Sequence, residues 1–192
     1  MKPPSTIHTP VLAEEVLHWL SPQPGQTILD GTLGGGGHTR LLAEQVGDKG
    51  RVIALDRDAA ALARAEQSLS GLPVMIAQSN FCDAAGVLEE IGIAAVDGIL
   101  LDLGLSSDQL ADDGRGFGFE SDGLLDLRFD TDHGEPAWRL LERLRENNLA
   151  DLIYEYGEER HSRRIAKEIV ARRSTDSIKT ARQLAELIRR CT

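Results

Sequence analysis

Long apolar runs are absent from this chain. The longest, VIAL and GILLDL, fall well short of the ~20 residues a helix needs to cross a bilayer, so no membrane span is expected. The opening MKPPSTIHTP lacks the apolar stretch of a secretory signal, and no leader is read there. Cysteine is scarce: Cys82 and Cys191 are lone thiols without metal-ligand spacing. No disulfide scaffold and no metal are therefore assigned, and a reducing, cytoplasmic setting is indicated. Positive charge is also short. A net charge of −10 argues against a general nucleic-acid coat. Internal repeats and low-complexity linkers are missing too.

The 192 residues suit one domain, or one domain with a helical annex, and an apolar fraction of 41% is enough to bury a core. The charge is unevenly spread. Arg160–Thr192 hold ten basic against three acidic residues, a balance of +7, so that Met1–Glu159 carry −17. Such a split describes either an acidic cofactor domain beside a basic surface for polyanions, or simply a solvated helix face.

Read along the chain, Thr9-Pro10 resembles an N-cap followed by proline at the first helical position. Leu12, Val16, Trp19 and Leu20 recur at helical spacing, which predicts an amphipathic helix over 10–20. QTILDG, GRVIALD, PVMIAQ and VDGILLDLG read as four strands. Helices are predicted between them over 36–46, 58–69 and 83–91. Strands alternating with helices imply a parallel, doubly wound α/β sheet, with strand order 3-2-1-4. Residues 104–134 are rich in glycine and aspartate and show little periodicity, and from Glu135 the pattern is helical. Ile165, Ala166, Ile169 and Val170 form one apolar stripe; Leu184, Leu187 and Ile188 form another. Two domains are expected, 1–104 and 105–192.

The first strand runs into DGTLGGGGHT, with five glycines in the seven positions Gly31–Gly37. Glycine at that density marks backbone that bends sharply or approaches a ligand, and a loop between a strand and a helix is where α/β sheets bind ligands. A P-loop needs Gly-Lys-Ser/Thr, but His38 follows Gly37. A dinucleotide fingerprint started at Gly34 or Gly35 puts Thr39 or Arg40 where its third glycine belongs. The remaining class is S-adenosylmethionine, which carries a sulfonium, an ammonium and a carboxylate but no phosphate. Asp30–Thr39 contain no Lys or Arg, in keeping with a ligand that lacks phosphate. Asp30 ends the first strand, Gly34 and Gly36 follow, and the helix N-terminus offers amides to a carboxylate. Asp56 ends the second strand, placed for ribose hydroxyls, a role it would fill equally for NAD. Phe81 follows the third strand as a wall for an adenine ring, and Asp102 ends the fourth.

HTPVLAEEVL, DGTLGGGGHT, ALDRD, GILLDLGLSSDQL, RGFGF, DGLLDLRFD and YGEERHSRRIAKEIV occur in this order. Together they closely resemble the bacterial small-subunit rRNA cytosine-N4 methyltransferases, the MraW or RsmH family, from about His8 to Leu187. The resemblance implies a partial Rossmann-like, class I methyltransferase sheet with a helical insertion that handles RNA. It implies S-adenosyl-L-methionine as cofactor, bound at Gly36, Gly37, His38, Asp56, Phe81, Asp102 and Gln109. The implied substrate is a cytosine amine of 16S rRNA near the decoding site of the small ribosomal subunit.

That amine is a poor nucleophile because its lone pair is conjugated with the ring, so alignment and a hydrogen-bond acceptor matter most. Asp102 is the first candidate for a catalytic polar group, with Ser106 and Ser107 behind it. The Asp/Ser-Pro-Pro-aromatic motif of amino-directed DNA methyltransferases is replaced here by Asp-Leu-Gly-Leu-Ser-Ser, so the amine holder is not assigned by that analogy. Arg115, Phe117 and Phe119 form either a stacking surface for an unpaired base or an anchor for their loop. The basic helices beyond Arg160 suit RNA phosphates. The chain ends at ELIRRCT inside a helical pattern without a C-cap glycine, so it is expected to be an N-terminal portion of the family protein. GILLDL would then be an open edge inviting association, homodimers included. A non-catalytic chain that binds cofactor or rRNA, and an NAD-dependent oxidoreductase, are the rival readings.

Overall fold

The computed structural model describes residues 10–192, which form two compact units, one up to Gly104 and one from Leu105. Thr9, the expected N-cap, lies outside the described residues.

In the first unit α1 (Ala13–Leu20) precedes β1 (Thr27–Asp30), α2 (Gly37–Val46), β2 (Arg51–Asp56), α3 (Ala59–Ser68), β3 (Val74–Gln78), α4 (Ala84–Glu90) and β4 (Gly98–Leu100). All pairings are parallel and the order is β3-β2-β1-β4, as the alternation of elements predicts. Side chains alternate across the sheet and fill both faces. Ile28 and Val52 pack with Leu42, Ala43 and Val46 of α2 and with Leu17 and Leu20 of α1. Ala54 joins Leu62 and Ala65 of α3. On the other face, Leu29, Ile53 and Leu55 meet Val87 and Leu88 of α4. Each large apolar side chain buried this way contributes about 1.5–3 kcal/mol. Strands covered on two faces read as continuous apolar runs, which is why VIAL of β2 looks as it does.

Two expectations are corrected here. The first helix begins at Ala13, because Leu12 adopts a left-handed conformation (φ 53°) that α-helix cannot continue. Its inward residues are Leu17 and Leu20, whereas Trp19 is 82% exposed. The fourth strand is also shorter than its apolar run. Only Gly98–Leu100 pair with β1, and the chain leaves the sheet before Asp102.

The second unit holds α5 (Ser107–Ala111), α6 (Ala137–Arg143), α7 (Glu146–Gly157), α8 (Ser162–Arg173) and α9 (Ala181–Cys191). The segment read as irregular therefore contains one short helix. Ser106 and Gln109 close a capping box at its start, and Thr180 with Gln183 does the same for α9. Leu149, Ile165, Ala166, Ile169, Ile178 and Leu187 make the core, so the stripes on α8 and α9 face inward. YGEER links α7 to α8 through Glu158, a left-handed residue at the C-cap of α7. Among the described residues no helix is long and apolar enough to cross a membrane, and no three metal-ligating side chains converge.

Candidate functional site

Asp30 and Asp56 close β1 and β2 at their carboxyl ends, and Asp102 follows β4. Asp30 is 1% exposed, so its carboxylate faces protein. It accepts from the Thr32 amide at 3.0 Å and from the Thr39 hydroxyl at 2.6 Å. Burial pushes its pKa above the usual carboxylate range, against the lowering effect of these donors. Asp30 thus ties the start of the glycine loop to the first turn of α2.

Asp56 ties the same loop to β2. One carboxylate oxygen accepts from the Gly34 amide at 2.8 Å and the other from the Asp58 amide at 2.9 Å. A carboxylate has roughly four acceptor positions, so about two stay available to a ligand. Gly36 caps α2 with φ +79°, and a Cβ there would sit 3.3 Å from Leu69. Gly31 meets a harder limit. A Cβ would lie 2.5 Å from Leu101 and 2.9 Å from Phe81, so only glycine lets these two side chains close over the end of β1. Phe81, in a single 3₁₀ turn, keeps 39% of its surface exposed beside that glycine.

His38 follows Gly37 in the first turn of α2 and is buried. Its Nε2 lies 2.8 Å from the Val11 carbonyl, which can only accept, so Nε2 carries a hydrogen. Nδ1 is 3.6 Å from a carboxylate oxygen of Asp102. Asp102 is exposed, and its amide donates to the Thr32 hydroxyl at 2.7 Å. Gly34, Gly36, Gly37, His38, Asp30, Asp56, Phe81 and Asp102 therefore all belong to the first unit, around the loop after β1. Thr32 and Thr39 were not singled out in the sequence, although Asp-x-Thr is a turn signal that pointed to Thr32. Thr32 links Asp30 to Asp102, and Thr39 satisfies the buried carboxyl.

Gln109 belongs to the second unit. It is buried, and its side-chain oxygen accepts from the Ser106 amide at 3.0 Å within the capping box. In the RGFGF segment, Arg115 is buried, bonded to Asp112 at 2.9 Å and seated 5.7 Å from the Phe117 ring. Phe117 in turn packs on Phe129 with centroids 5.4 Å apart. Anchoring the loop is therefore what Arg115 and Phe117 do, while Phe119 is 76% exposed.

The loop offers acceptors at the strand ends, an aromatic wall and uncharged backbone, with no cation between Asp30 and Thr39. That set fits a cationic nucleoside ligand better than a phosphorylated one. In comparison with known proteins, the MraW methylase family matches residues 5–192. A ribosomal RNA small subunit methyltransferase H of Syntrophotalea carbinolica is 49% identical over 184 residues, covering 95% of this chain and 59% of that protein. The protein of the same name from Deinococcus radiodurans is 51% identical over 189 residues, covering 98% and 59%. That of Deinococcus deserti is 49% identical, covering 97% and 60%. The chain thus spans about three-fifths of the length of these relatives.

Proposed function

The chain belongs to the MraW methylase family, and from that premise we propose that the whole protein methylates the N4 amine of a cytosine in 16S rRNA, near the decoding site of the small ribosomal subunit, using S-adenosylmethionine. The observation that carries the reading is the Asp56–Gly34 clasp at the strand ends, found in a chain about half identical to proteins named small subunit rRNA methyltransferases.

The cofactor supplies an electrophilic methyl group on a sulfonium. Asp56, with acceptor positions to spare, binds the ribose hydroxyls. Phe81 walls the adenine, and Gly36, Gly37 and His38 begin the helix whose first amides receive the carboxylate. Asp30 acts at one remove, holding Thr32 and Thr39 so that the loop keeps its shape. Asp102, exposed and steadied through Thr32 and His38, accepts a hydrogen bond from the cytosine amine as that nitrogen loses conjugation. Gln109, which the family resemblance also assigns to the cofactor, caps the start of α5 within the second unit. The second unit recognises the RNA, and the target base is unstacked on entry.

The test is tritium transfer from labelled cofactor. A protein extended to the relatives' length should label small ribosomal subunits in preference to naked rRNA, and unrelated RNA hardly at all. Equal labelling of unrelated RNA sinks the substrate reading. Calorimetry showing tight NAD binding in place of S-adenosylmethionine sinks the cofactor reading.

A further inference from the structure

The sequence carries ten cations between Arg160 and Thr192, and the structure sorts them. Arg182 reaches Asp122 at 2.7 Å, Arg189 reaches Glu120 at 3.1 Å, and Arg172 reaches Asp176 at 3.1 Å. Arg173 is turned inward to the Leu141 and Leu144 carbonyls. These four are engaged by partners within the second unit. Arg160, Arg163 and Arg164 are different. With Asp151, Tyr154, His161 and Ser162 they line a cleft of about 470 Å³ between the exposed face of α7 and the start of α8.

The only carboxylate in that lining is Asp151, and its approach to Arg163 is long, 3.8 Å between two exposed groups. Such a pair contributes little. Among the described residues neither Arg160 nor Arg164 has a carboxylate partner; Arg164 touches only the Arg190 carbonyl, at 3.3 Å. The other acids close in sequence lie outside the lining. Glu159 accepts the His161 amide at 2.7 Å, while Glu155 and Glu158 are exposed in the last turn and at the C-cap of α7. Three arginines thus share one concavity whose lining includes a single carboxylate, Asp151. The N-terminus of α8 lies there too; its N-cap residue, His161, makes no cap bond with its own side chain, and Glu159 holds only the His161 amide. The amides and positive dipole end of that N-terminus favour an anion, and guanidinium groups form the forked pairs that phosphate accepts. The exposed Tyr154 adds a flat ring to one wall, which a free phosphate does not need but a nucleobase uses.

We propose that this cleft is a subsite for single-stranded RNA, with one or two phosphodiesters held by Arg160, Arg163 and Arg164 and an adjoining base stacked on Tyr154. The inference rests on the RNA reading proposed above and gives it a location within the second unit. An acidic protein with a −10 charge gains specificity from such a local site, because the rest of its surface repels RNA.

The experiment is fluorescence anisotropy of the 192-residue chain with a labelled single-stranded oligoribonucleotide of about ten nucleotides, over roughly 50–200 mM salt. Arg163→Glu with Arg164→Glu should weaken binding more than tenfold and reduce the salt slope by about 0.7–1.4, about 0.7 for each phosphate no longer neutralised. Arg160→Glu alone should reduce it by about 0.7, an independent check should the double variant unfold. Tyr154→Ala should weaken binding about fivefold or more with the slope unchanged, and Tyr154→Phe should restore it. Tyr156→Ala, on the same helix but outside the cleft, and Lys49→Glu, in the first unit, should stay within about twofold of the parent. An unchanged slope in the arginine variants, an equal loss in Lys49→Glu, or absence of RNA binding by the parent chain overturns the proposal. So does displacement of the RNA by an acidic peptide as effective as by unlabelled RNA. Calorimetry with S-adenosylmethionine on the same preparations separates the two readings. Cofactor binding without cleft-dependent RNA binding refutes the cleft alone. Cleft-dependent RNA binding with no cofactor binding, also in the protein extended to the relatives' length, refutes the methyl-transfer reading and leaves the cleft standing.

Discussion

Replacing Asp56 by alanine removes the group on which the glycine loop and the proposed ribose hydrogen bond both depend. In the free protein its two oxygens hold the amides of Gly34 and Asp58 at 2.8 and 2.9 Å. A hydrogen bond to a charged group contributes about 1.5–3 kcal/mol, so removing the one to the ribose should raise the Kd for S-adenosylmethionine about 10- to 150-fold. The two orphaned amides can turn to water at this half-buried site, so freeing them should destabilise the fold by only about 1 kcal/mol each. That corresponds to a fall in Tm of roughly 2–4 °C per kcal/mol for a chain of this size. Isothermal titration calorimetry gives the first quantity and thermal unfolding the second. Asp56→Asn retains one oxygen acceptor but turns an NH₂ toward a backbone donor, so it should fall between the parent and alanine in both. A Kd within twofold of the parent in Asp56→Ala, with the fold intact, would refute the assignment of Asp56 to the ligand. A large fall in Tm with unchanged affinity would make it a loop clasp and nothing more.

Three further outcomes are expected. Gly36→Ala should destabilise by about 1–2 kcal/mol, since alanine is strained at a φ of +79° and its Cβ would press on the buried Leu69; urea unfolding within a few tenths of the parent would refute this. Burial raises the pKa of Asp30, so the native state holds that proton more tightly than the unfolded chain. Its contribution to stability is therefore fully present below the ordinary value of 3.8 and is lost as pH rises through the raised native value. The stability difference between the parent and Asp30→Asn should accordingly shrink as pH increases from about 4, and a pH-independent difference would contradict the burial argument. Finally, β4 pairs only with β1 among the described residues, and Ile99, Leu101 and Leu103 are exposed along and beyond it. The 192-residue chain should self-associate in sedimentation velocity, and Ile99→Lys should reduce that; a parent chain that stays monomeric at high concentration would show the edge to be harmless.

The order of the sheet and the identity of its helices were legible in the sequence because they rest on periodicity and punctuation. Apolar runs bounded by Gly, Pro and Asp mark strands buried on both faces, and the stripe at Ile165, Ala166 and Ile169 has a single amphipathic solution. The glycine loop was legible for a related reason. Its residue types limit which ligands a strand-to-helix turn can take, and the missing lysine argues against phosphate without any coordinates.

Other features were decided only by tertiary structure, because they depend on what lies opposite a residue in space. Helical spacing put Trp19 on an apolar stripe, but the sheet receives Leu17 and Leu20 and leaves Trp19 in solvent. Asp30 and Asp56 look alike as strand-end acids. One is enclosed with the Thr39 hydroxyl and Thr32 amide, and the other keeps acceptors toward solvent. The basic tail is equally ambiguous in one dimension. Only the return of Glu120 and Asp122 to α9 engages Arg182 and Arg189, and only the turn between α7 and α8 leaves Arg160, Arg163 and Arg164 facing one cleft. Composition sets how many charges a chain carries, but a charge is neutralised by partners brought from sixty or more residues away, and that pairing exists only once the chain has folded.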